Sequence, residues 1–459
     1  MKKRITHLRY LAIGLTLLSA TGCDSMLEVD LPSSELASTT IYTSEETAES
    51  AVNGIYYSMV TTTYYNSLHS VLGQTSDELM QNSLTDNVYT NNDIPVDDSY
   101  ISQMWSELYK TVYDANSVLE GVASSTMLSS TSAARLSAEA KFIRAFCYFY
   151  LVNLWGDVPL ITTTEVQVNS LAPRASAESV YNNIISDLND AVTDLPDDYS
   201  YYSSKRFRAT KWAAYALRAR VNLYQEKWAD AEADASQVIG QTGLYALVTN
   251  LSANNSPFIT DNTEAILQIP LSNLEYTYEG SLLFTNSGSY LLRNGMNLFE
   301  GNDARLANWT ISVSGSDGST YLAPLKYKNA FGSSPSERST VLRLAELYLI
   351  RAEARAEQSN LTGAVQDLKE IRGRAQLEGS GSADDSDQSA VLQAIRMERQ
   401  RELFAEFGHR WLDLKRTGTA DNVLGAIKTQ WTSDDALYPI PENAIKTNPN
   451  LTQNPGYYQ

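Results

Sequence analysis

Hydrophobic residues recur at three- and four-residue spacing over most of the chain beyond about residue 41. The segment SQMWSELYKTVYDANSVLEGV, for example, places Trp105, Leu108 and Val112 on one face. This periodicity is typical of amphipathic α-helices with one buried side. A similar segment begins at Ser44, a predicted helix N-cap followed by an acidic first turn. The chain is therefore predicted to be mainly helical, with no large sheet.

Two of the helical segments share a second pattern, a pair of alanines twelve residues apart. Ala219 precedes Ala231 in one segment, and Ala352 precedes Ala364 in the other. Small residues at this spacing let two antiparallel helices approach closely, as in tetratricopeptide repeats; the alternative interpretation is a generic helical hairpin. Helix pairs are predicted near 137–196, 209–240 and 339–375. The predicted fold is a tetratricopeptide-like helical-repeat scaffold, an α-α superhelix.

The helical pattern stops between about 246 and 338, where Gly, Ser, Asn and aromatic residues dominate. One short strand is predicted in EAILQIPL, residues 264–271. Irregular segments of this length inside a folded domain commonly carry function. We therefore expect residues 41–459 to form one helical domain with a loop-rich insertion at about 246–338, whose long irregular loops bind a ligand.

The start of the chain has the features of a bacterial export signal. Basic residues precede an apolar run from Leu11 to Leu18, and small residues lead into Cys23. The run is too short for a membrane-spanning helix. Residues 1–22 are predicted to be a signal peptide and Cys23 the lipidated residue, with residues 23–40 as a polar tether. The alternative is an ordinary cleaved signal that leaves a free thiol.

Composition narrows the possible functions. The formal net charge is −19, and the cleaved signal would remove four further cations, so nucleic acid is not an expected partner. The chain has three histidines and two cysteines, which leaves little material for a metal site, a histidine-dependent catalytic triad or a disulfide framework. Neither a P-loop nor a G-x-S-x-G segment is present. No enzyme activity, metal or cofactor is predicted.

Acidic residues near the carboxyl terminus alternate with basic ones. Glu398, Glu402 and Asp413 are interpreted as parts of a salt-bridged scaffold rather than as acid/base catalysts. On the helix predicted from about Val391, the spacing places Leu403, Phe407 and Trp411 on one face, and Glu406 is expected to pair with Arg410. His409 is interpreted as a packing residue, and the proline-rich segment that follows as a strap against the body.

Four segments together resemble the SusD/RagB family of lipid-anchored nutrient-binding proteins. They are Cys23 with DSMLEVDLP and the helix that contains Gly54 and Tyr56, EAKFIRAFCYFYLVNLWGDVPLIT (139–162), MERQRELFAEFGHRWLDLKRTG (397–418) and LYPIPENAIKTNPNLTQNPGY (437–457). The resemblance implies a helical protein anchored in the outer membrane and facing the cell exterior. It also implies a partner, a TonB-dependent SusC-like transporter that receives oligosaccharides or, in some members, peptides.

The resemblance supplies no binding residues, so the candidates come from the loops. They are the aromatic residues Tyr89, Tyr276, Tyr278, Tyr290 and Trp309, with Asn92 and Arg293 as polar partners. Aromatic faces stack on the C–H faces of sugars, and Trp309 ranks first because its ring is the largest. For each residue the alternative interpretation is a buried loop anchor.

Three functions remain open at this point. The first is capture of a neutral oligosaccharide for delivery to the transporter. The second is peptide binding of the RagB type, which would need exposed backbone partners. The third is a generic helical-repeat adaptor lipoprotein without a small ligand, which would leave the long aromatic loops unexplained.

Overall fold

A computed structural model describes residues 41–61, 63–271, 276–283, 289–293, 295–329, 336–377 and 386–458. The predicted signal peptide, Cys23 and the tether lie outside these residues. The elements of the first half are α1 Glu45–Thr61, α2 Thr63–Thr75, β1 Leu79–Gln81, α3 Ser99–Ser124, α4 Ser130–Trp155, β2 Val158–Pro159, α5 Val166–Asn169, β3 Arg174–Ala175, α6 Ala177–Asp194, a 3₁₀ turn Ser200–Tyr202, α7 Lys211–Tyr224 and α8 Trp228–Ile239.

The second half begins with the loop-rich region and returns to helices. Its elements are β4 Ala265–Gln268, a π-helical turn Glu279–Leu283, β5 Tyr290–Leu292, α9 Gly295–Leu298, α10 Ala304–Trp309, β6 Thr310–Ser314, β7 Thr320–Pro324, β8 Thr340–Arg343, α11 Leu344–Glu357, α12 Leu361–Arg374, α13 Gln388–Leu403, α14 His409–Arg416, α15 Ala420–Leu424, a 3₁₀ turn Ser433–Ala436 and α16 Glu442–Thr447.

The long helices stack in chain order. Helix α4 packs against α3 on one side and α6 on the other, and contacts continue from α6 to α7, from α7 to α8, and from α8 to α11. Helix α11 then packs against both α12 and α13. Such contact between successive neighbours is the arrangement of a helical-repeat scaffold. The prediction of a mainly helical, tetratricopeptide-like fold is confirmed.

The residue pattern explains this stacking. Ala219, Ala231, Ala352 and Ala364 have no exposed surface, in helices that pack as the pairs α7–α8 and α11–α12. Helix α4 lies between two neighbours, and its segment from Ala138 to Trp155 is buried almost throughout, including Cys147. Buried alanines allow close helix approach, and a helix that is apolar all round belongs in the interior.

The strands make small connections rather than a core sheet. Within the described residues they form four two-stranded antiparallel sheets, β1 with β5, β2 with β3, β4 with β8, and β6 with β7. The β1–β5 pair aligns Gln81 with Tyr290, so it joins the loop-rich region to the end of α2. This connection positions the candidate site described below.

One predicted helix is broken. Helix α13 ends at Leu403 and α14 begins at His409, while Ala405, Phe407 and Gly408 between them have positive φ angles of 56°, 46° and 70°. A Cβ on Gly408 would lie 2.2 Å from a side-chain atom of Leu72, so this turn requires glycine. The predicted continuous face through Leu403, Phe407 and Trp411 was therefore wrong.

The expected pair between Glu406 and Arg410 was also wrong. Glu406 turns inward to Lys326 and Arg343, whereas Arg410 binds Asp77 with Nε–Oδ1 of 2.7 Å. The left-handed turn after α13 separates the two side chains that a continuous helix would have brought together. Both residues find partners from distant parts of the chain instead.

A buried ion network fills the interior around α13. The carboxylate of Glu402 contacts Arg305, Arg343 and Arg374, and all four side chains are 2% exposed or less. Burial alone would raise the pKa of Glu402, but the three guanidinium groups hold it well below its usual range. The interpretation of the acidic residues as salt-bridged scaffold agrees with this geometry.

The carboxyl-terminal segment lies along the body as a strap. The backbone N–H of Tyr438 donates to the carbonyl of Leu154 at 2.8 Å, and the Trp155 indole donates to the carbonyl of Pro439 at 2.9 Å. The side-chain amide of Asn454 donates to the carbonyls of both Trp155 and Tyr438. These bonds fasten the strap to the end of α4.

Candidate functional site: a cluster of tyrosines

The loop of residues 82–98 connects β1 to α3 and carries the first candidate, Tyr89. The side-chain oxygen of Asn87 accepts hydrogen bonds from the backbone N–H groups of Tyr89 and Thr90, at 2.9 and 3.0 Å. The Tyr89 hydroxyl donates to Asp98 at 2.9 Å, and Asp98 also caps α3 by accepting from the N–H of Ile101. Asparagine turns and aspartate caps are local devices that order a loop without packing. Tyr89 is therefore held beside the N-terminus of α3.

Tyr100 lies beside it, in the first turn of α3. Its side chain is 51% exposed, and its ring meets that of Tyr89 edge to face, with centroids 6.4 Å apart and planes at 85°. Edge-to-face packing is a favourable arrangement of two aromatic rings, and here it leaves half of the Tyr100 side chain open to solvent. Sequence reasoning missed Tyr100, although it is next to Ile101, which continues the buried face of Trp105 and Leu108.

Tyr278 and Tyr290 complete the group from the loop-rich region. Burial is the first cause of the raised pKa of each phenol, and Tyr100 also raises both values, so the three hydroxyls lie within electrostatic reach of one another. Tyr290 has the same effect on Tyr89, whose pKa is raised mainly by burial and then by Asp98. We call Tyr89, Tyr100, Tyr278 and Tyr290 the tyrosine cluster. The raised pKa values keep the phenols of Tyr89, Tyr278 and Tyr290 neutral at physiological pH.

The inner sides of Tyr278 and Tyr290 pack against a hydrophobic core that contains Leu79, Phe258 and Trp309. Their partial exposure therefore leaves one side for solvent and one for the protein. An aromatic side chain fixed on its inner side loses little conformational entropy when a ligand covers its outer side. The cluster is thus a supported aromatic surface rather than a set of mobile side chains.

The loop beside the cluster is acidic. Asp86, Asp93 and Asp97 are exposed on it, close in sequence to Tyr89 and Tyr100. Carboxylates accept hydrogen bonds from hydroxyl groups and repel anions. The surroundings therefore suit an uncharged ligand that is rich in hydroxyls.

Asn92 and Arg293, the predicted polar partners, are less exposed than Tyr100. Asn92 is 3% exposed, has a left-handed backbone with φ of 58°, and accepts a hydrogen bond from the buried ammonium of Lys428. Arg293 is half-buried, and its backbone N–H donates to the carbonyl of Glu78 at 2.8 Å. Asn92 is a buried loop anchor in this structure, which is the alternative interpretation given above.

Trp309, the first-ranked candidate, is fully buried, so the structure corrects its assignment as a stacking platform. Its ring lies 5.6 Å from that of Phe258 between centroids, and the ammonium of Lys326 sits 4.8 Å from its centroid. The guanidinium groups of Arg374 and Arg343 also face the ring, at 5.0 and 5.8 Å. Cations and aromatic neighbours occupy its faces, so no ligand can stack there. Tyr276 is partly exposed two positions before Tyr278.

The structure offers no arrangement for hydrolysis at the carboxylates considered above. Glu398 and Glu402 are fully buried and paired with Arg305, and Asp413 pairs with Arg399 and Arg416. Among the described residues no group of three or more His, Cys, Asp or Glu side chains is arranged to hold a metal ion. In the same part of the chain, no helix is both long and apolar enough to cross a membrane.

A cavity of about 960 Å³ lies elsewhere, between the segment after α8 and helix α12. Its walls include Leu247, Leu344, Tyr348 and Leu368, and Lys369 stands at its edge. Its lining includes two tyrosines rather than four, Tyr245 and Tyr348, and Tyr245 is only 3% exposed. We therefore take the tyrosine cluster as the candidate site, because its chemistry is the more specific.

Comparison with known proteins gives the family. The model described as "Starch-binding associating with outer membrane" matches residues 26–223, and that of the SusD family matches residues 292–457. The chain is 27% identical to SusD-like protein P25 of Formosa agariphila, across 95% of this chain and 96% of that protein.

Solved structures agree. A SusD superfamily protein from Bacteroides thetaiotaomicron has a TM-score of 0.76 at 21% identity, covering 90% of this chain and all of that one. A laminarin binding SusD-like protein has a TM-score of 0.72 at 25% identity, covering 91% of this chain and all of that one. The chain therefore belongs to the SusD/RagB family, one of whose models is described as starch-binding and associating with the outer membrane.

Proposed function

We propose that this protein captures a neutral oligosaccharide on the tyrosine cluster at the cell surface and delivers it to a TonB-dependent, SusC-like transporter. The observation that carries the proposal is the meeting of four tyrosines from three separate segments, with Tyr100 half exposed. A sugar ring offers C–H faces for the aromatic surface and hydroxyls for the surrounding oxygen atoms. Family membership and the laminarin-binding neighbour support the ligand class.

The charge of the site argues for neutral glycans over acidic ones. Asp98 accepts the hydrogen bond of the Tyr89 hydroxyl, and exposed Asp86, Asp93 and Asp97 lie on the same loop, whereas Lys428 is buried and Arg293 is half-buried. Uronate-containing or sulfated glycans would meet repulsion from the carboxylates. Neutral glucans, such as those of the laminarin or starch class, would not.

Titration calorimetry on the mature protein tests the proposal. The panel contains neutral β- and α-glucan oligosaccharides, a uronate oligomer and a tryptic peptide mixture. We expect a neutral glycan to bind the wild type. Tyr100→Ala should lower the affinity about 5- to 30-fold, because one stacking aromatic contributes about 1–2 kcal/mol.

Tyr113→Ala is the matched control. Tyr113 lies on the same helix, α3, and is 44% exposed, but it is thirteen residues away, about 20 Å along the helix. Equal weakening by both variants, or tight binding of peptides and of no glycan, would refute the proposal. The peptide result would instead support the RagB-type alternative.

Anchoring at Cys23 and hand-over to a transporter are separate parts of the proposal. We expect wild-type cells to incorporate labelled fatty acid into the protein, and Cys23→Ala to release a folded protein from the membrane after a salt wash. In cross-linked outer membranes, a TonB-dependent transporter should be recovered with the wild type. A protein without label, or a Cys23→Ala variant that stays bound, contradicts lipid anchoring.

A further inference from the structure

Lys428 connects the carboxyl-terminal part of the chain to the loop that bears Tyr89. It follows α15, is 5% exposed, and its ammonium donates to the backbone carbonyls of Gln74 and Thr75 at 3.0 and 2.7 Å. The third hydrogen bond goes to the side-chain oxygen of Asn92. An ammonium has three N–H groups, so these three oxygens use all of them.

The two carbonyls belong to the last turn of α2. The carbonyls at a helix end lack partners within the helix and carry the negative end of its dipole, so a cation there is favourable. The third acceptor, Asn92, has a left-handed backbone and ends the turn in which its own N–H donates to the carbonyl of Tyr89 at 3.2 Å. One ammonium thus joins a rigid helix end to the turn that carries Tyr89.

Burial makes this contact costly unless all of its hydrogen bonds form. Burial, and after it Arg293, lowers the pKa of Lys428 to about 7, although Asp77, Asp435 and Asp86 act in the opposite direction. A solvated surface lysine would avoid that cost. The same loop receives a second tie from the strap, where the N–H of Glu442 donates to the carbonyl of Val96 at 2.9 Å.

We propose that Lys428 is a positioning residue of the tyrosine cluster, which holds the loop of residues 82–98 against α2 through Asn92. Its effect on glycan affinity rests on the proposed function, but its hold on the loop does not. The two can therefore be measured separately.

Hydrogen exchange of the protein without ligand tests the hold on the loop. In Lys428→Met, which keeps an apolar stem of similar length, we expect the amides of residues 87–92 to exchange about tenfold faster or more, because their turn loses its anchor. The amides of α4 should exchange as in the wild type. Lys446→Met is the matched control, because Lys446 is an exposed lysine of the same terminal segment, paired with Glu442.

Asn92→Gly supplies a second variant and a coupling test. Glycine accepts the left-handed φ of Asn92, so it removes the side chain without backbone strain. Each single variant should lower the affinity for the glycan that the wild type binds about 3- to 10-fold. The double variant should lose no more affinity than the stronger single variant, because the two substitutions remove the same contact.

Unchanged exchange of residues 87–92 in Lys428→Met would overturn the proposal, as would equally faster exchange in α4 or additive losses in the double variant. If the wild type binds no glycan while Lys428→Met still frees the loop, the proposed function fails and the positioning role stands.

Discussion

Two aromatic groups lie next to each other and serve different purposes. The tyrosine cluster contains Tyr100, which is 51% exposed, whereas the neighbouring group around Trp309 contains Phe258, Tyr327 and Phe404, all 1% exposed or less. Tyr278 and Tyr290 pack on this second group from outside. One group is therefore an inner support, and the other is the surface that it supports.

What separates them is the position of the cations. Lys326 lies 4.0 Å from the centroid of Phe404 and 4.8 Å from that of Trp309, and two arginines also face the tryptophan. Aromatic faces attract cations, so the buried ion network uses the rings that could otherwise have stacked on a ligand. Ring area alone does not identify a binding surface. The open face is what matters, and charged neighbours decide whether it stays open.

The largest expected effect is on the inner group. Trp309→Ala should lower the free energy of unfolding by about 3–5 kcal/mol, because it leaves a cavity and removes a cation–π partner. Tyr100→Ala, on the exposed surface, should cost less than about 1 kcal/mol. Urea denaturation of the two variants measures both values. Similar stability losses would contradict the assignment of the two groups as support and surface.

The helical scaffold was predictable because each helix carries its own periodic signal. The face of Trp105, Leu108 and Val112 is buried in α3, although Trp105 keeps 8% of its surface exposed. The break in the helix after Leu403 was not predictable, because it depends on distant residues. The N–H of Ala405 donates to the carboxylate of Glu78, more than three hundred residues away. Gly408 was the one local signal for that turn.

The candidate site was partly predictable for the same reason. Tyr89, Tyr278 and Tyr290 were named from the aromatic content of their loops, and the structure brings them together. Tyr100 was overlooked because it lies on a helix, although its position beside the buried face indicated exposure. Trp309 was misassigned because burial under the ion network is a property of the fold that local sequence does not carry.

Buried charges and exposed phenols should also respond differently to pH. Burial lowers the pKa of His409 to about 4, with Glu346 opposing this shift and Arg220 and Arg399 adding to it. The unfolded chain takes up a proton near pH 6.5, so the histidine's contribution to stability is present above that pH and is lost as pH falls towards 4. At pH 5 the loss is about 2 kcal/mol.

The measurement is the difference in unfolding free energy between wild type and His409→Gln from pH 5 to pH 7.5. Glu78, whose pKa burial raises to about 8, acts in the opposite sense but cancels because both proteins contain it. Between pH 5 and pH 6 glycan affinity should stay constant, because the raised pKa values of Tyr89, Tyr278 and Tyr290 keep their phenols protonated and Lys428, whose pKa burial lowers to about 7, stays charged. A constant stability difference, or an affinity that follows it, would contradict this separation.

A smaller effect tests the surface itself. Tyr278→Ala should lower the affinity for the glycan about 5- to 30-fold, because it removes one stacking face. Trp309→Phe, which keeps an aromatic ring in the inner group, should leave affinity within about twofold, because it alters only the support. Calorimetry on the folded variants measures both affinities. An affinity loss in Trp309→Phe as large as that in Tyr278→Ala would show that the inner group reaches the ligand.

The smallest effect separates the ring of Tyr100 from its hydroxyl. Tyr100→Phe keeps the exposed face and the edge-to-face contact with Tyr89 but removes the phenolic oxygen. If stacking carries the affinity, the change should be less than about threefold, well below the loss in Tyr100→Ala, because a solvent-exposed hydrogen bond contributes about 0.5 kcal/mol. Calorimetry with the same glycan compares the two variants. An affinity loss in Tyr100→Phe equal to that in Tyr100→Ala would mean that the site binds its ligand through hydroxyl groups. Open ring faces would then no longer explain how the exposed cluster differs from the buried group around Trp309.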